Sequence, residues 1–382
     1  LAHRTYLQAV KDAGGGVPLV LGLERGDGSL SRFETRVFEE SDPRTEASKF
    51  YVERLVKFLL WQRGGWRVYV GGPKSIGEHI QQCYQAGGSR AFDFEFMGVS
   101  IYDKAFTVVI CDADEVPAQK ENASALGRHL EGYRIGFDLG GSDRKVSAVV
   151  NGEAIYSEEV MWNPIQTADP AYHYNEVMTA IKTAASKMPR LDAIGGSAAG
   201  VYVDNRARIA SLFRAVPKER YHEVHDLFPR ISREMGVPLV MVNDGEVTAL
   251  AGSMSLEDNG VLGIAMGTSE AGGYVNLDGN ITGWLNELAF CPVDYNPAAP
   301  VDEWSKDYGV GALYFSQQCA FRLAPKVGIS LPDNILNAEK LKIIQDKMEA
   351  GEEGALKIWQ SMGVYLGYTL AHYADFYDIR HA

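Results

Sequence analysis

Residues 136–145 read GFDLGGSDRK: an apolar strand ends in a carboxylate, followed by two glycines, a hydroxyl and basic side chains. That grouping suits a phosphate chain and its magnesium. Asp138 would be held at a fixed place at a sheet edge, and Gly140 and Gly141 would let backbone N–H groups approach an anion closely. Ser142 would donate a hydroxyl hydrogen bond and Lys145 would supply charge. Magnesium gives up its own waters reluctantly, so Asp138 would hold it through water. The same letters also spell an ordinary hairpin with a glycine corner.

A second carboxylate stands in VPLVMVNDGEVTALAGS (237–253), where a buried strand runs out into Asn243-Asp244 and a helix begins. Ligands of open α/β sheets bind at strand ends. Asp244 could accept a proton from a substrate hydroxyl, and its place at a helix N-terminus is expected to hold its pKa down. A weak base is tolerable in phosphoryl transfer, which asks for alignment more than for a strong nucleophile. The plain alternative is that Asp244 is an N-cap. A third stretch, AMGTSEAGG (265–273), is another glycine-rich corner, where Gly267, Thr268 and Ser269 could donate to phosphate oxygens.

The elements that must position these residues follow one pattern twice: strand, glycine turn, strand. Over 134–156, Ile135, Phe137 and Leu139 alternate as in a half-buried strand, and Asn151-Gly152 signals a type I′ hairpin turn. Over 261–281 the matching turn is Asp278-Gly279. Between them the pattern predicts a helix near 172–188, a strand at 193–195, a helix near 219–235 and a strand at 238–242. A C-terminal helix over 355–378 carries Ile358, Met362, Tyr365, Leu366 and Thr369 at helical spacing. Residues 1–125 read as a separate α/β unit of unassigned role. It has a hairpin turning at Asp27-Gly28, a helix over 46–63, a strand, a Gly71-Gly72 turn, a helix over 75–86 and strands ending at 111. The polar stretch 114–127 is its boundary.

The bulk composition limits the alternatives. A chain of 382 residues, 46% hydrophobic and 23% charged, has room for two or three folded domains. The net charge of −13, with no basic stripe, argues against a nucleic-acid partner and requires an anionic ligand to find local donors. Cys83, Cys111, Cys291 and Cys319 lie far apart without CxxC pairing, so a reducing cytoplasm is expected rather than a disulfide framework or structural zinc. No apolar run approaches the roughly 18–20 residues of a membrane span.

In order, DLGGSxxK, ND before a helix, GTS near a second hairpin and LNELAFCPV (285–293) resemble the ROK family of sugar kinases and repressors. The resemblance covers residues 133–378. It implies an actin-like α/β fold: duplicated RNase H-like lobes, here with an extra N-terminal α/β unit. The lobes would be 130–245, with the helix at 355–378 returning to it, and 246–354. It also implies ATP and magnesium as cofactors and transfer of a phosphoryl group to a hydroxyl of a hexose or amino sugar. Asp138, Gly140, Gly141, Ser142 and Lys145 would form the first phosphate corner, and Gly267 and Thr268 the second. Asp244 would be the base, with Asn243 beside it on the sugar, and Glu287 would accept hydrogen bonds from sugar hydroxyls. The partners implied are a small sugar and a nucleotide, with a homodimer left open.

Departures from the family pattern give further expectations. Phe290 stands where the family has a histidine, and the cysteine cluster for zinc is missing, so no zinc is expected and one side of the sugar pocket is altered. If the Glu270 carboxylate faced a phosphate at ~4 Å, repulsion would be about 4 kcal/mol at an effective dielectric of 20. These two residues motivate a second reading, a sugar-binding or regulatory relative with lost or weakened kinase activity. The sequence ends where the family supplies a further strand and an adenosine-binding GG turn. Loss of that piece is favoured over adenine contacts from elsewhere. Three look-alikes are set aside. VGGPKS (70–75) has Pro73 where a P-loop needs glycine. HEVHD (222–226) lacks metalloprotease spacing. Asp112 and Asp114 in FTVVICDADEV mimic a haloacid-dehalogenase-type phosphatase without its later lysine and acidic cluster.

Overall fold

The structure is a computed structural model that describes residues 2–382. The chain divides into two compact units. One takes the chain up to Ala123 together with Ile264–Gly272 and Thr282–Ala382; the other takes Ser124–Gly263 and Gly273–Ile281.

The first unit opens with helix α1 (Ala2–Asp12) and a hairpin of β1 (Val17–Glu24) and β2 (Leu30–Val37). The turn falls at Asp27-Gly28, where Gly28 has φ +79°, a conformation that favours glycine. Then come α2 (Thr45–Arg63), β3 (Arg67–Gly71), α3 (Lys74–Cys83), the short α4 (Ala91–Glu95) and β4 (Thr107–Cys111). The sheet order is β2-β1-β3-β4, with β1 antiparallel to both neighbours and β3 parallel to β4.

Helix α2 is buried on every side through its C-terminal half, including Arg54 and Lys57. A charge taken out of water must be paired. Arg54 donates to both oxygens of Asp307 at 2.8 Å, Lys57 donates to Asp93 at 2.8 Å, and Arg90 bridges Asp307 and Glu53.

In the second unit β6 (Tyr133–Leu139), β7 (Asp143–Val150) and β8 (Glu153–Met161) follow the two-residue strand β5 (Ala123–Ser124) and form an antiparallel meander. After α5 (Pro170–Ala185), β9 (Ala193–Ala198) joins β6 in parallel. The hairpin β10 (Gly200–Val203) and β11 (Arg206–Ala210), α6 (Tyr221–His225) and α7 (Leu227–Met235) lead to β12 (Leu239–Val242), parallel to β9, and α8 (Asp244–Leu256). The order β12-β9-β6-β7-β8 is the RNase H-like arrangement. Alternation along β6 sends Ile135, Phe137 and Leu139 into a core with Val177 and Ile181 of α5 and Phe228 and Ile231 of α7. Gly136 and Asp138 are left on the other face, and this places the site.

The chain passes between units within β13 (Val261–Met266) and β14 (Glu270–Val275), which form a sheet ordered β13-β14-β15-β5 with β15 (Ile281–Thr282). Helices α9 (Gln317–Leu323), α10 (Asn337–Glu349) and α11 (Glu353–Tyr373) complete the first unit, meeting around Ala320, Ile344 and Ile358.

This division differs from the one expected. Residues 1–123 do not stand alone, and α11 packs in the first unit rather than with 130–245. The reason is α2, which is buried on every side through its C-terminal half and so needs cover all round. Phe376 stacks on Phe58 at 4.1 Å, and its carbonyl accepts from Gln62 Nε2 at 2.9 Å. Residues 246–263 and 273–281 likewise belong with 124–245. No helix among the described residues is long and apolar enough to cross a membrane, and the four cysteines form no disulfide.

Candidate functional site

Strand register builds the site in the second unit. Asp138 lies beside Lys145 of β7 on one side and Ser197 of β9 on the other, and Ser197 Oγ donates to Asp138 Oδ1 at 2.6 Å. Two strands away β12 ends, and Asn243 caps α8. Its side-chain oxygen accepts from Gly245 N at 2.9 Å, its amide donates to Gly200 O at 2.7 Å, and Glu246 returns to Asn243 N at 3.2 Å in a capping box. Asn243 therefore does the capping, and Asp244 is free of it. Asp244 Oδ1 is buried with no hydrogen-bond partner.

Burial pushes the Asp244 carboxyl up to about 6, and the negative charge of Asp138 adds to the effect. The helix N-terminus was expected to hold this pKa down; desolvation and a like charge outweigh it. Tyr202 of β10 closes the group. Its hydroxyl is buried without a partner, and its pKa is raised by burial first and then by Asp244. A carboxylate with an orphaned oxygen, a second carboxylate and an unpartnered phenol can together receive a hydroxyl group and its proton. Sequence reasoning missed Ser197 and Tyr202. Their only signal was the run of small residues GGSAAG (195–200) between a strand and Val201-Tyr202.

Beside Asp138 lies a cavity of about 440 Å³. Its floor includes Gly136 and Gly195, register partners whose missing side chains would meet nothing within 4 Å, and Val242, Val247 and Leu250 make an apolar wall. Glycine inside a strand often marks close approach by a ligand.

The first glycine corner is tight. Trp162 Nε1 donates to Gly140 O at 2.8 Å, and a side chain at Gly141 would meet Ile165 at 2.8 Å. Its polar groups turn toward Asp143: Ser142 Oγ donates to Asp143 Oδ1 at 3.2 Å and Lys145 Nζ lies 3.1 Å from Asp143 Oδ2. Hydrogen bonding with Glu159, then with Lys145, lowers the Asp143 pKa. A bare phosphate here would meet a carboxylate. The carboxylate here suits an anion accompanied by magnesium, held through its waters, better than an unaccompanied anion. Among the described residues, no group of three or more His, Cys, Asp or Glu side chains is placed to hold a metal by itself.

Gly267, Thr268 and Glu287 belong to the first unit, apart in the division from Asp138, Asn243 and Asp244. Gly267 to Ser269 form an exposed turn closed by Gly267 N to Ser269 O at 3.0 Å, with no atom within 4 Å of where a Gly267 side chain would stand. Glu270, the next residue, is 1% exposed and points inward, where Tyr373 Oη donates to it at 3.1 Å. The repulsion considered for it at a phosphate does not arise. Glu287 is half-buried; burial pushes its carboxyl up to about 7, and its backbone N–H donates to Trp61 O at 3.0 Å. Phe290 packs its ring 4.4 Å from Trp61 and 5.5 Å from Phe92.

Two comparisons are empty: no protein-family model matches the chain, and no curated protein matches it in sequence. Solved structures do match. A ROK family transcriptional regulator, a homologue of the E. coli MLC protein, superposes with TM-score 0.52 at 19% identity over 65% of this chain and 63% of its own. This is the ROK fold. The ROK hexokinase from Thermus thermophilus gives TM-score 0.51 at 16% identity over 65% of this chain and 79% of that one. The chain thus spans 63% of the regulator's length.

Within the ROK fold the look-alike motifs have plain uses. At the start of α3, Ser75 N donates to Glu40 Oε1 at 2.9 Å, so the chain's own carboxylate takes the place an anion would occupy. His225 of α6 packs edge-on against Tyr221 with centroids 4.7 Å apart. Asp112 N donates to Glu115 Oε2 at 2.9 Å in an exposed turn.

Proposed function

We propose that the protein transfers the γ-phosphoryl group of ATP to a hydroxyl of a hexose or amino sugar, with Asp244 as the base. The observation that carries this reading is the Asp244 carboxyl, held near its working pH by burial and by Asp138, with one oxygen lacking any partner. Asp244 accepts the hydroxyl proton as the oxygen attacks, and its raised pKa makes it a better base than a surface aspartate. Tyr202 and the spare N–H of Asn243 orient the sugar. Asp138, fixed by Ser197, and Asp143 would hold magnesium through its waters. Gly140, Gly141, Ser142 and Lys145 would face the phosphate chain. When bound, magnesium offsets the charge of the transferred group.

A panel of hexoses and amino sugars with Mg-ATP tests this, with product counted for wild type and for Asp244→Asn. Phosphorylation by wild type alone supports the reading; equal turnover by both removes Asp244 from it. A second reading is favoured by the Lys145–Asp143 ion pair, which leaves the first corner's cation already engaged. Here the protein binds sugar and signals without transferring phosphate. Sugar binding seen by calorimetry, with no product from any sugar, would favour that alternative.

A further inference from the structure

Glu270 has no role in the scheme above, yet its surroundings are unusual. Its carboxyl is sealed in the first unit between β14, the turn at Gly311 and the end of α11. One oxygen accepts from Tyr373 Oη, and the other has no partner. A side chain at Gly311 would stand 2.0 Å from that second oxygen and 2.5 Å from Leu288 O, so the carboxyl lies against the turn that carries Glu287. On the same turn Asn286 is 1% exposed, with a left-handed backbone at φ 50°. Its Oδ1 accepts from Tyr377 Oη at 2.9 Å, and its Nδ2 is also without a partner. Asn286 N and Glu287 N donate to the last turn of α2, at Gln62 O (2.8 Å) and Trp61 O (3.0 Å).

The groups that act on Glu270 are few. Tyr373, Tyr377 and the Cys291 thiol, all strongly raised by burial, are uncharged at neutral pH, and Glu287 is a carboxyl itself. Lys57, which acts on Cys291, is committed to Asp93. A charged carboxylate here would lack both a cation and a second donor, an arrangement that costs several kcal/mol in a protein interior.

We propose that Glu270 is a positioning residue, a proton-dependent latch: its neutral carboxyl, tied to Tyr373, holds the Asn286–Leu288 turn against α2, and loss of its proton lets that turn open. Burial raises this carboxyl from 4.5 to about 8, opposed by the Tyr373 hydrogen bond and assisted by Glu287. Between those values the closed form keeps a proton that the opened form has lost. The latch is therefore complete below pH 4.5 and is lost as pH rises through 8. On the phosphotransfer reading, sugar affinity would weaken over the same interval; the latch itself does not depend on that reading.

Amide hydrogen exchange at Asn286 and Glu287, measured on the full chain without sugar or nucleotide, tests it, because local opening sets their protection. In wild type, protection corrected for intrinsic exchange should fall about fivefold from pH 7 to 8 and level off by about pH 9. The Glu287 carboxyl, at about 7, contributes at most about a twofold part of that fall, which should remain in Glu270→Gln. In Glu270→Gln the fall should shrink to about twofold or less. Tyr373→Phe, which removes the hydrogen bond favouring the charged form, should carry the fall to higher pH and serves if the glutamine variant does not fold. Unchanged protection in wild type, the same fall in Glu270→Gln, or no displacement in Tyr373→Phe overturns the latch. None of these results bears on whether sugar is phosphorylated.

Discussion

Replacing Asp244 by asparagine should make the protein more stable and less active at once. The wild-type carboxyl rises from 3.8 to about 6. At 1.36 kcal/mol per unit that is roughly 3 kcal/mol of strain on the charged form. The side chain is only partly buried, so solvent screening leaves about 1–2 kcal/mol. Asparagine removes the charge at nearly the same volume, relieves Asp138, and should raise the unfolding midpoint by roughly 2–6 °C at pH 7.5. Turnover should fall by about 10²–10⁴, the range for loss of a general base. The sign of the pH dependence follows. Because the folded-state pKa is raised, the stabilising proton is fully held below pH 3.8 and lost as pH rises through 6, so the stability gap between variant and wild type should close in acid. Urea melts at pH 5 and 7.5, beside a coupled kinase assay, measure both. A variant less stable than wild type at pH 7.5, or one with full turnover, refutes the reasoning.

Other expectations follow from single contacts. The pH profile of kcat/KM should rise through about 6 as Asp244 ionises, and Asp138→Asn should move that limb to lower pH. Lys145→Met should remove the cation of the first corner and raise the KM for ATP by roughly 2–5-fold, the value of an exposed ion pair; an unchanged or lower KM would mean that Lys145 does not face nucleotide. Gly273→Ala should abolish or cripple folding, since its side chain would stand 2.1 Å from Gly245 O and 2.3 Å from Glu246 N, backbone atoms that cannot yield; soluble expression and circular dichroism read this out. Arg54→Met should cost about 3–5 kcal/mol by leaving Asp307 short of a partner in a buried network, measured by chemical denaturation.

Local chemistry was legible in the sequence wherever neighbours in the chain decide the outcome. The alternation of Ile135, Phe137 and Leu139 places Asp138 on the open face of its sheet. Asn151-Gly152 adopts the left-handed pair that its letters predict, with φ 48° and 87°. Asp138 and Asp244 were singled out by their places at strand ends, and the structure brings both into one unit. Properties set across space were not legible. The Asp244 pKa depends on burial and on a carboxylate far away in sequence, and these reversed the direction expected from the helix end alone. The inward turn of Glu270 depends on Tyr373. The division of the chain depends on which segments cover α2, a helix buried all the way round through its C-terminal half. Ser197 and Tyr202 were invisible because small residues and a tyrosine near a strand have many uses; their roles come from the partners that register supplies.

Carbon-13 titration of the aspartate side chains tests most directly whether residues 138 and 244 confront each other. One aspartate carboxyl should titrate near pH 6, vanish in Asp244→Asn, and move toward lower pH in Asp138→Asn while staying above the ordinary aspartate value, because burial is the larger cause. A spectrum in which no aspartate titrates above pH 5, or in which the Asp138 substitution leaves the elevated carboxyl unmoved, would contradict the account.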